Sequence, residues 1–345
     1  MELSTTMANI SITTGNESGN ITLDDSSKSI MPEQILFTYV LPIIIFVGLK
    51  GNIVSIIIFL DKELRHISSS VYILAVLCSD TGMLLNQTLS WFEVLQFTLI
   101  NKEGICQLFV FSSFVFAFLS EWYMVCITVE NYVTLRHPAQ IKTLCTIRRA
   151  LIVTLSLAFF AVSSYSVNLF SQTAFGGVCR TKYMKLDQIY FYIDNIVTLL
   201  LPTIVILFLL AAIVLQVIKS IKAKRRMSMS KSNKKKSSIP QVRVAKMLFV
   251  LSLSSFVLSS PDHIFRLYFF LSGITNIPYD LSLASLVFMF LYYTRFSIKF
   301  FILISFSTNF RKKLLAKFKR KRNYYDIVAT KPEVHNKATN IPPVK

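Results

Sequence analysis

Seven long apolar stretches set the strongest constraint on the fold of this chain. Each is long enough to cross about 30 Å of hydrocarbon as a helix. They cover approximately residues 35–60, 70–97, 106–135, 147–170, 187–218, 242–271 and 279–305. Backbone polar groups must be paired inside a bilayer, and a helix pairs them within one segment. The sequence therefore predicts an all-α membrane protein, folded as a seven-transmembrane helix bundle.

The composition agrees with a membrane location. Apolar residues make up 53% of the 345 residues and charged residues only 16%, yet the net charge is +19. A soluble globule with both kinds of residue mixed together would aggregate, so the two must be segregated. Seven spans leave short loops and two tails, with no room for a separate soluble catalytic domain. A membrane-embedded enzyme stays open on this ground.

Motifs that position a metal, a nucleophile or a nucleotide are missing from the sequence. It contains no CxxC, HExxH, GxSxG, GxGxxG or Walker-type loop. We therefore expect no enzyme and no cofactor. The basic residues lie next to the predicted spans, as the positive-inside rule requires, so we do not expect a nucleic-acid partner.

Lysine and arginine are distributed unevenly between the two sides of the predicted membrane. Segments 1–34, 98–105, 171–186 and 272–278 hold five of them, whereas the alternate segments hold 28. This bias predicts an extracellular N-terminus in the plasma membrane and a cytoplasmic C-terminus. The four remaining basic residues lie within spans, where a charge is costly. They are Lys50, Arg266, Arg295 and Lys299.

We take the bundle as residues 35–305. The regions outside it differ from one another in composition. Residues 1–34 are polar and hold three N-x-[ST] sequons, which predict an extracellular glycosylated tail. The sequons are at Asn9, Asn16 and Asn20. Residues 306–322 alternate apolar and basic side chains, as in an amphipathic interfacial helix. Residues 323–345 have the composition of a disordered cytoplasmic tail.

Two of the five cysteines fall on the predicted outer side, in an oxidising compartment. Cys106 opens the third span and Cys179 lies in the second outer loop. We expect a disulfide between them, which would restrict a loop across the outer end of the bundle. The alternative is two free thiols.

Short motifs within the spans resemble those of the rhodopsin-like G-protein-coupled receptors. The most specific is a spacing, because Asn131 stands 25 residues after Cys106, where the family has the Arg of its D/E-R-Y triplet. The other motifs are Gly51-Asn52, Leu74-Ala75, Cys78-Ser79-Asp80, Ser120-Glu121-Trp122, Glu130-Asn131-Tyr132, Arg136-His137-Pro138, Pro202, Pro261 and Phe310-Arg311-Lys312. Together they cover six of the seven spans.

Within this family the chain resembles invertebrate neuropeptide receptors of the FMRFamide and thyrotropin-releasing-hormone-like groups. The similar stretches are Leu74 to Asp80 and Pro261-Asp262-His263. Ser113 and Tyr293 replace the Asp of amine receptors and the Lys of opsins. The resemblance implies an extracellular peptide ligand, a heterotrimeric G protein and, through the serine-rich basic loop between spans five and six, an arrestin-like adaptor. Anionic membrane lipid would also be attracted to that loop.

The resemblance also implies where the ligand would bind. The matched cavity positions combine aromatic walls with a few charged groups, which suits a short peptide. They are Trp91, Ser113, Phe114, Ala117, Asp194, Asp262, His263, Arg266, Met289 and Tyr293. Asp194 and Asp262 would receive a basic group of the ligand, or they would neutralise Arg266 in the empty bundle.

Several positions depart from the family pattern in their chemistry. Asn131 replaces the triplet Arg, which leaves Glu130 without its local partner beside Tyr132. Elsewhere Ser259 replaces a Trp, and Leu210 and Leu303 replace tyrosines. Because these side chains cannot make the same hydrogen bonds, we expect the activation switches to be altered relative to the family.

A second group of departures predicts an internal polar network. Lys299 stands where relatives have the Asn of a pocket in which a sodium ion can bind, with Asp80 and Ser120 at the matching positions. Arg295 lies one turn before Lys299, and Glu121 follows Ser120. We expect these residues, with Asn52, to form a neutral network in which Lys299 replaces the sodium. The alternative is that Lys299 extends towards the cytoplasmic interface.

Three functions remain open on this evidence. The first is a ligand-activated receptor for a heterotrimeric G protein. The second is an atypical receptor that couples weakly, constitutively or through other adaptors, which the altered switch positions favour. The third is a transporter or channel, which is suggested by the internal charges alone, since no paired repeat is apparent.

Overall fold

The computed structural model describes residues 32–228, 239–272 and 279–317, and nearly all of them are helical. Helix α1 consists of Pro32–Ile35, a π-helical stretch Leu36–Val40 and Leu41–Phe59. Helix α5 consists of Met184–Asp194, a π-helical stretch Asn195–Leu200 and Leu201–Ser228. The others are α2 Ser68–Val94, α3 Ile105–Arg136, α4 Ile147–Tyr165, α6 Ile239–Ser272, α7 Tyr279–Ser297, α8 Lys299–Phe306 and α9 at 308–317. Three further single turns cover Pro138–Gln140, Ile141–Leu144 and Asn168–Ser171.

The seven-span bundle predicted from the sequence is confirmed. Six helices are long and apolar enough to cross a membrane, and α7 with α8 makes a seventh span that is bent by 51°. The N-terminal sequons, the loop at 229–238 and the tail from 318 onward lie outside the described residues.

One small sheet interrupts the all-helical architecture of the described residues. Strands β1, Gln172–Phe175, and β2, Val178–Thr181, pair in an antiparallel register with Phe175 opposite Val178. Gly176 and Gly177 connect them with φ values of 64° and 73°. A two-residue hairpin turn of this kind needs positive φ at both positions, which glycine adopts without a steric penalty.

The interior contains two apolar clusters. The larger joins α1 to α6, α8 and α9 through residues such as Leu77, Met124 and Leu248. The smaller joins α1, α2 and α7 around Leu41 and Phe290. The close approach of α1 to α8 depends on Gly51, where a Cβ atom would lie 2.8 Å from the side chain of Phe300.

The bend between α7 and α8 arises without a proline. Lys299 donates a hydrogen bond of 3.1 Å from its Nζ atom to the backbone oxygen of Arg295. That oxygen lies one turn earlier, where a regular helix would offer it to a backbone N–H. A side chain that inserts into this ladder is an established cause of helix kinks.

Helix α9 is attached to the inner end of α1 and the loop that follows it. Phe310 is fully buried, with ring centroids 5.8 Å from Phe59 and 6.1 Å from Phe300. The Nζ atom of Lys313 lies 3.0 Å from Asp61 Oδ1 and 2.7 Å from Glu63 Oε1. Helix α9 thus forms part of the amphipathic helix predicted at 306–322, and it begins after a break at Ser307.

We expect Lys313→Met to increase hydrogen exchange of α9 several-fold, because the ammonium links α9 to the loop after α1. Lys312→Met is the matched control, since Lys312 has no carboxylate within 4 Å among the described residues. Hydrogen bonding to Lys313 lowers the pKa of Asp61 from its ordinary value, and bonding to Glu63 and Asp61 raises the pKa of Lys313. The linkage should therefore persist between these two pKa values, weaken as pH falls through the lowered pKa of Asp61, and weaken again as pH rises through the raised pKa of Lys313. Equal exchange in both variants would contradict this role.

Candidate functional site

A network of charged side chains lies buried in the middle of the bundle. The Nζ atom of Lys299 lies 2.6 Å from Oδ2 of Asp80, and both side chains are at most 4% exposed. The Ser120 hydroxyl donates a 2.6 Å hydrogen bond to Oδ1 of the same carboxylate. Arg295 pairs with Glu121 through Nη1 and donates a 3.1 Å bond from Nη2 to the Ser120 oxygen. Ser120 therefore links two ion pairs into one network.

The network contains two acids and two bases, so it is neutral when all four are charged. Arg295 is completely buried, and its guanidinium carbon lies 5.0 Å from the ring centroid of Tyr292 and 4.7 Å from that of Phe296. The aromatic faces and the paired carboxylate offset the loss of water around the cation. Lys299 is 3% exposed and points to Asp80, not to the cytoplasmic interface.

Asn52 lies beside the network but bonds to the backbone. Its Nδ2 atom donates a 3.1 Å hydrogen bond to the oxygen of Phe296, which connects α1 with α7. Its Oδ1 atom has no hydrogen-bond partner in the described part of the chain. Asn52 thus helps to position α7, which carries Arg295.

Two acids in the outer half of the bundle have different surroundings. Asp262 pairs with Arg266 one turn later on α6, at 2.8 Å between Oδ2 and Nε. Asp194 on α5 instead accepts hydrogen bonds from the hydroxyls of Tyr165 and Thr198. Among the described residues, no basic side chain lies within 4 Å of Asp194. Within the described residues, the carboxylate of Asp194 therefore has hydrogen-bond donors but no cation in direct contact, and Arg266 attracts it only from a longer distance.

The remaining predicted ligand contacts are divided among several places. Phe114 stacks on Tyr165 beside Asp194, at a centroid distance of 5.5 Å. Trp91, Met289 and Tyr293 pack in the smaller apolar cluster. Ser113 accepts a 3.1 Å hydrogen bond from Asn86 Nδ2.

His263 lies between the outer half of the bundle and the charged network. Its Nδ1 atom lies 3.1 Å from the Thr203 hydroxyl, and its Nε2 atom lies 3.9 Å from Glu121 Oε1. Sequence reasoning did not single out Tyr165, Thr198 or Thr203. The signal available, a hydroxyl in an apolar stretch, is too common to identify them.

The second outer loop is fixed to the bundle at several points. The expected disulfide between Cys106 and Cys179 is present, with a Cα–Cα distance of 5.6 Å. Glu103 accepts a 2.7 Å bond from the backbone N–H of Ala174, which lowers the pKa of its carboxyl. The backbone N–H of Cys179 donates to Asn101 Oδ1 at 3.0 Å. These contacts hold the β1–β2 hairpin next to the end of α3.

A sequence model of the family described as "7 transmembrane receptor (rhodopsin family)" matches residues 51–299, which is well over half of the chain. The chain belongs to this receptor family. A comparison with curated proteins finds no match. The buried network described above lies entirely within the matched segment.

The inner end of this rhodopsin-family receptor has an unusual set of contacts. Glu130, expected to lack a local partner, accepts hydrogen bonds from the hydroxyls of Ser68, at 2.7 Å, and Ser69 on α2. Asn131 is fully buried, and both of its amide atoms lack a hydrogen-bond partner in the described part of the chain. The acid thus has replacement partners from another helix, and the amide has none.

The other altered positions are packed in the receptor interior. Leu210 and Leu303 belong to the larger apolar cluster. Ser259 is buried and donates a 2.7 Å hydrogen bond to the backbone oxygen of Ser255. Tyr132 is partly exposed. The Thr128 hydroxyl donates a 2.8 Å hydrogen bond to the Ser252 oxygen, which joins α3 to α6.

Lys50 does not join the buried network of the receptor. It is exposed on the side of α1, with Nζ 3.9 Å from the centroid of the Phe46 ring. A cation–π contact of this kind partly replaces solvation of the ammonium. Lys50 therefore lies on the lateral surface.

Proposed function

We propose that this receptor binds a peptide-like extracellular ligand in the outer half of the bundle and signals to a heterotrimeric G protein. Asp194 is the observation that carries the ligand proposal. Its carboxylate is oriented by two hydroxyls, lies beside the stacked rings of Phe114 and Tyr165, and has no basic side chain within 4 Å among the described residues. These features suit an arginine side chain or the amino terminus of a peptide.

A peptide-library screen on cells that express the receptor tests this proposal. The readout should be binding itself, because a silent second-messenger assay would not separate a wrong ligand from missing coupling. For a peptide that binds, we expect Asp194→Asn to weaken affinity about 10- to 100-fold, as the loss of a charged hydrogen bond does. Glu63→Gln, an equivalent change at the opposite end of the molecule, should have no effect. Equal binding by both variants would remove Asp194 from the ligand site.

We propose that the N-terminus is extracellular and that the receptor resides in the plasma membrane. The Cys106–Cys179 bond supports this orientation, because disulfides persist in oxidising compartments and this one lies at the end of the bundle predicted to be outside. The 28-to-5 bias of basic residues and the sequons at Asn9, Asn16 and Asn20 support the same orientation.

The cytoplasmic partners follow from that orientation. The basic, serine-rich loop between α5 and α6 would contact the G protein, an arrestin-like adaptor after phosphorylation, and anionic lipid. Its central part lies outside the described residues. We also propose that the Lys299 ammonium takes the place of sodium beside Asp80, which is supported by their 2.6 Å separation.

Asn131 favours a second candidate, a receptor with altered or constitutive coupling. An unpaired buried amide costs free energy in this packing, and that cost would be relieved by an arrangement in which the inner end opens to water. The closed arrangement would therefore be less favoured than one with a paired side chain at this position.

We expect Asn131→Arg to increase G-protein coupling by at least about tenfold in a second-messenger assay, because it restores the charge that the family places there. Asn131→Leu removes the unpaired amide without adding charge, so it should lower basal signalling. A large gain with Arg supports the altered-switch candidate. If Asn131→Arg leaves coupling at the wild-type level, the receptor does not depend on this position and the second candidate fails.

A further inference from the structure

A crevice between α5 and α6 opens on the side of the bundle. Its cavity volume is about 70 Å³, and it is continuous with the open space outside the bundle. Tyr192 and Ile196 on α5 and Ile264 on α6 form its rim, and they are 45%, 50% and 65% exposed. All three belong to helices that are long and apolar enough to span a membrane, so we expect the opening to face acyl chains.

The backbone of both helices explains why they separate at this depth. The π-helical stretch Asn195–Leu200 runs along the crevice and is followed by Pro202, which lacks an N–H donor. Pro261 lies inside α6, two residues before His263. A π-helical turn in one helix and an internal proline in its neighbour are both known sites of helix irregularity, and here they occur side by side.

The inner end of the crevice is polar but has no formal charge of its own when the imidazole is neutral. The Thr203 hydroxyl and His263 Nδ1 lie 3.1 Å apart there. A hydroxyl has one donor and two acceptor positions, so this contact leaves Thr203 able to bond to a further group. The remaining walls are mainly apolar, such as Leu199, Leu200 and Leu267.

We propose that this crevice binds a neutral, single-chain membrane lipid whose hydroxyl head bonds to Thr203 and His263. The lateral opening admits a molecule that is already dissolved in the bilayer. The crevice holds the head and the first part of the chain, and the rest of the chain remains among the surrounding lipids. A neutral hydroxyl head fits better than a carboxylate, because the residues that line the crevice include no Lys or Arg to pair with an anion, and a carboxylate held away from water without a cation is costly.

A lipid bound in this crevice would be able to affect the charged network through His263. His263 contacts Thr203 on one side and lies next to Glu121 on the other, and Glu121 pairs with Arg295. A lipid that changes the orientation of the imidazole would act on the pairing of α3 with α7. The inference goes beyond the proposed peptide function and does not depend on it.

Photolabelling of the full-length receptor in phosphatidylcholine nanodiscs tests the proposal by a binding readout. The probe is a monoacylglycerol with a diazirine in its acyl chain, competed with unlabelled monoolein. We expect labelled peptides to come from the rim around Ile196 and Ile264. Ile264→Trp fills the crevice and should reduce competable labelling at least about tenfold. Val257→Trp is the matched control, because Val257 is also exposed on α6 and does not line the crevice.

Two further comparisons test the chemistry of the head. Thr203→Val removes the hydroxyl with little change of volume and should weaken competition by monoolein about five- to tenfold, while competition by a hydrocarbon of equal length stays unchanged. A fatty acid of the same chain should compete less well than monoolein. Uniform labelling around the bundle, equal labelling of the two Trp variants, or preference for the fatty acid would each overturn the proposal. Each result is independent of signalling, so failure here is distinct from failure of the peptide proposal.

Discussion

Lys299→Met should lower the apparent melting temperature of the purified receptor by several degrees, and adding Asp80→Asn should restore most of the loss. The single change leaves a completely buried carboxylate without its cation, which costs about 3 to 5 kcal/mol. The double variant removes both charges, and a neutral pair in the same space is close to isoenergetic with the ion pair. Thermal unfolding in detergent measures all of these variants under one set of conditions.

Lys50→Met is the matched control for this experiment. Lys50 is also a lysine within a span, but it lies on the lateral surface and has no carboxylate within 4 Å among the described residues. Its substitution should leave the melting temperature nearly unchanged. If Lys299→Met were equally harmless, or if the double variant were less stable than Lys299→Met, the pairing would not stabilise the bundle.

The same pair makes a prediction about sodium. Lys299→Asn removes the ammonium and restores the residue that the family has at this position, next to Asp80 and Ser120. We therefore expect sodium to stabilise the Lys299→Asn variant and to leave the wild-type receptor unaffected. A sodium response of the wild-type receptor would show that the ammonium does not replace the ion.

Arg295→Met should reduce the amount of folded receptor at the cell surface about tenfold or more. Arg295 is completely buried and bonds to both Glu121 and Ser120, so its loss leaves the Glu121 carboxylate with His263 at 3.9 Å as its nearest basic neighbour. An isolated buried carboxylate costs several kcal/mol, a large part of the total stability of a protein. Surface immunolabelling and the melting temperature of the residual folded fraction measure the effect.

The rescue and the conservative variant separate charge from packing. Glu121→Gln combined with Arg295→Met should recover expression, because no unpaired charge remains. Arg295→Lys keeps the charge but cannot reach Glu121 and Ser120 with two separate donors, so we expect an intermediate level. A double variant as poor as Arg295→Met alone would show that the shape of the guanidinium, and not its charge, is what the bundle requires.

The two pairs should also behave as one unit. Ser120 contacts both the Asp80 carboxylate and the Arg295 guanidinium, and Lys299 bonds to the backbone oxygen of Arg295. Residues that share partners in this way give non-additive changes. The network therefore links α2, α3, α7 and α8 in one arrangement, and a conformational change must break or move it as a whole.

The amino-acid sequence determined the number of spans, their helical state and the family, because these depend on local properties. The length of an apolar stretch decides whether a helix crosses the bilayer, and the spacing of Asn131 from Cys106 lies within one helix. The pairing of Asp80 with Lys299 could also be expected, since an intramembrane acid and an intramembrane base leave few low-energy alternatives.

The tertiary structure decided which of several chemically equivalent partners each polar group received. Only the relative rotation and depth of the helices paired Arg266 with Asp262 and gave Asp194 two hydroxyls, although both acids were equal candidates in the sequence. The same holds for Glu130, which is held by serines from a different helix. Such contacts join residues far apart in the chain, so they depend on how whole helices pack and not on the local sequence pattern.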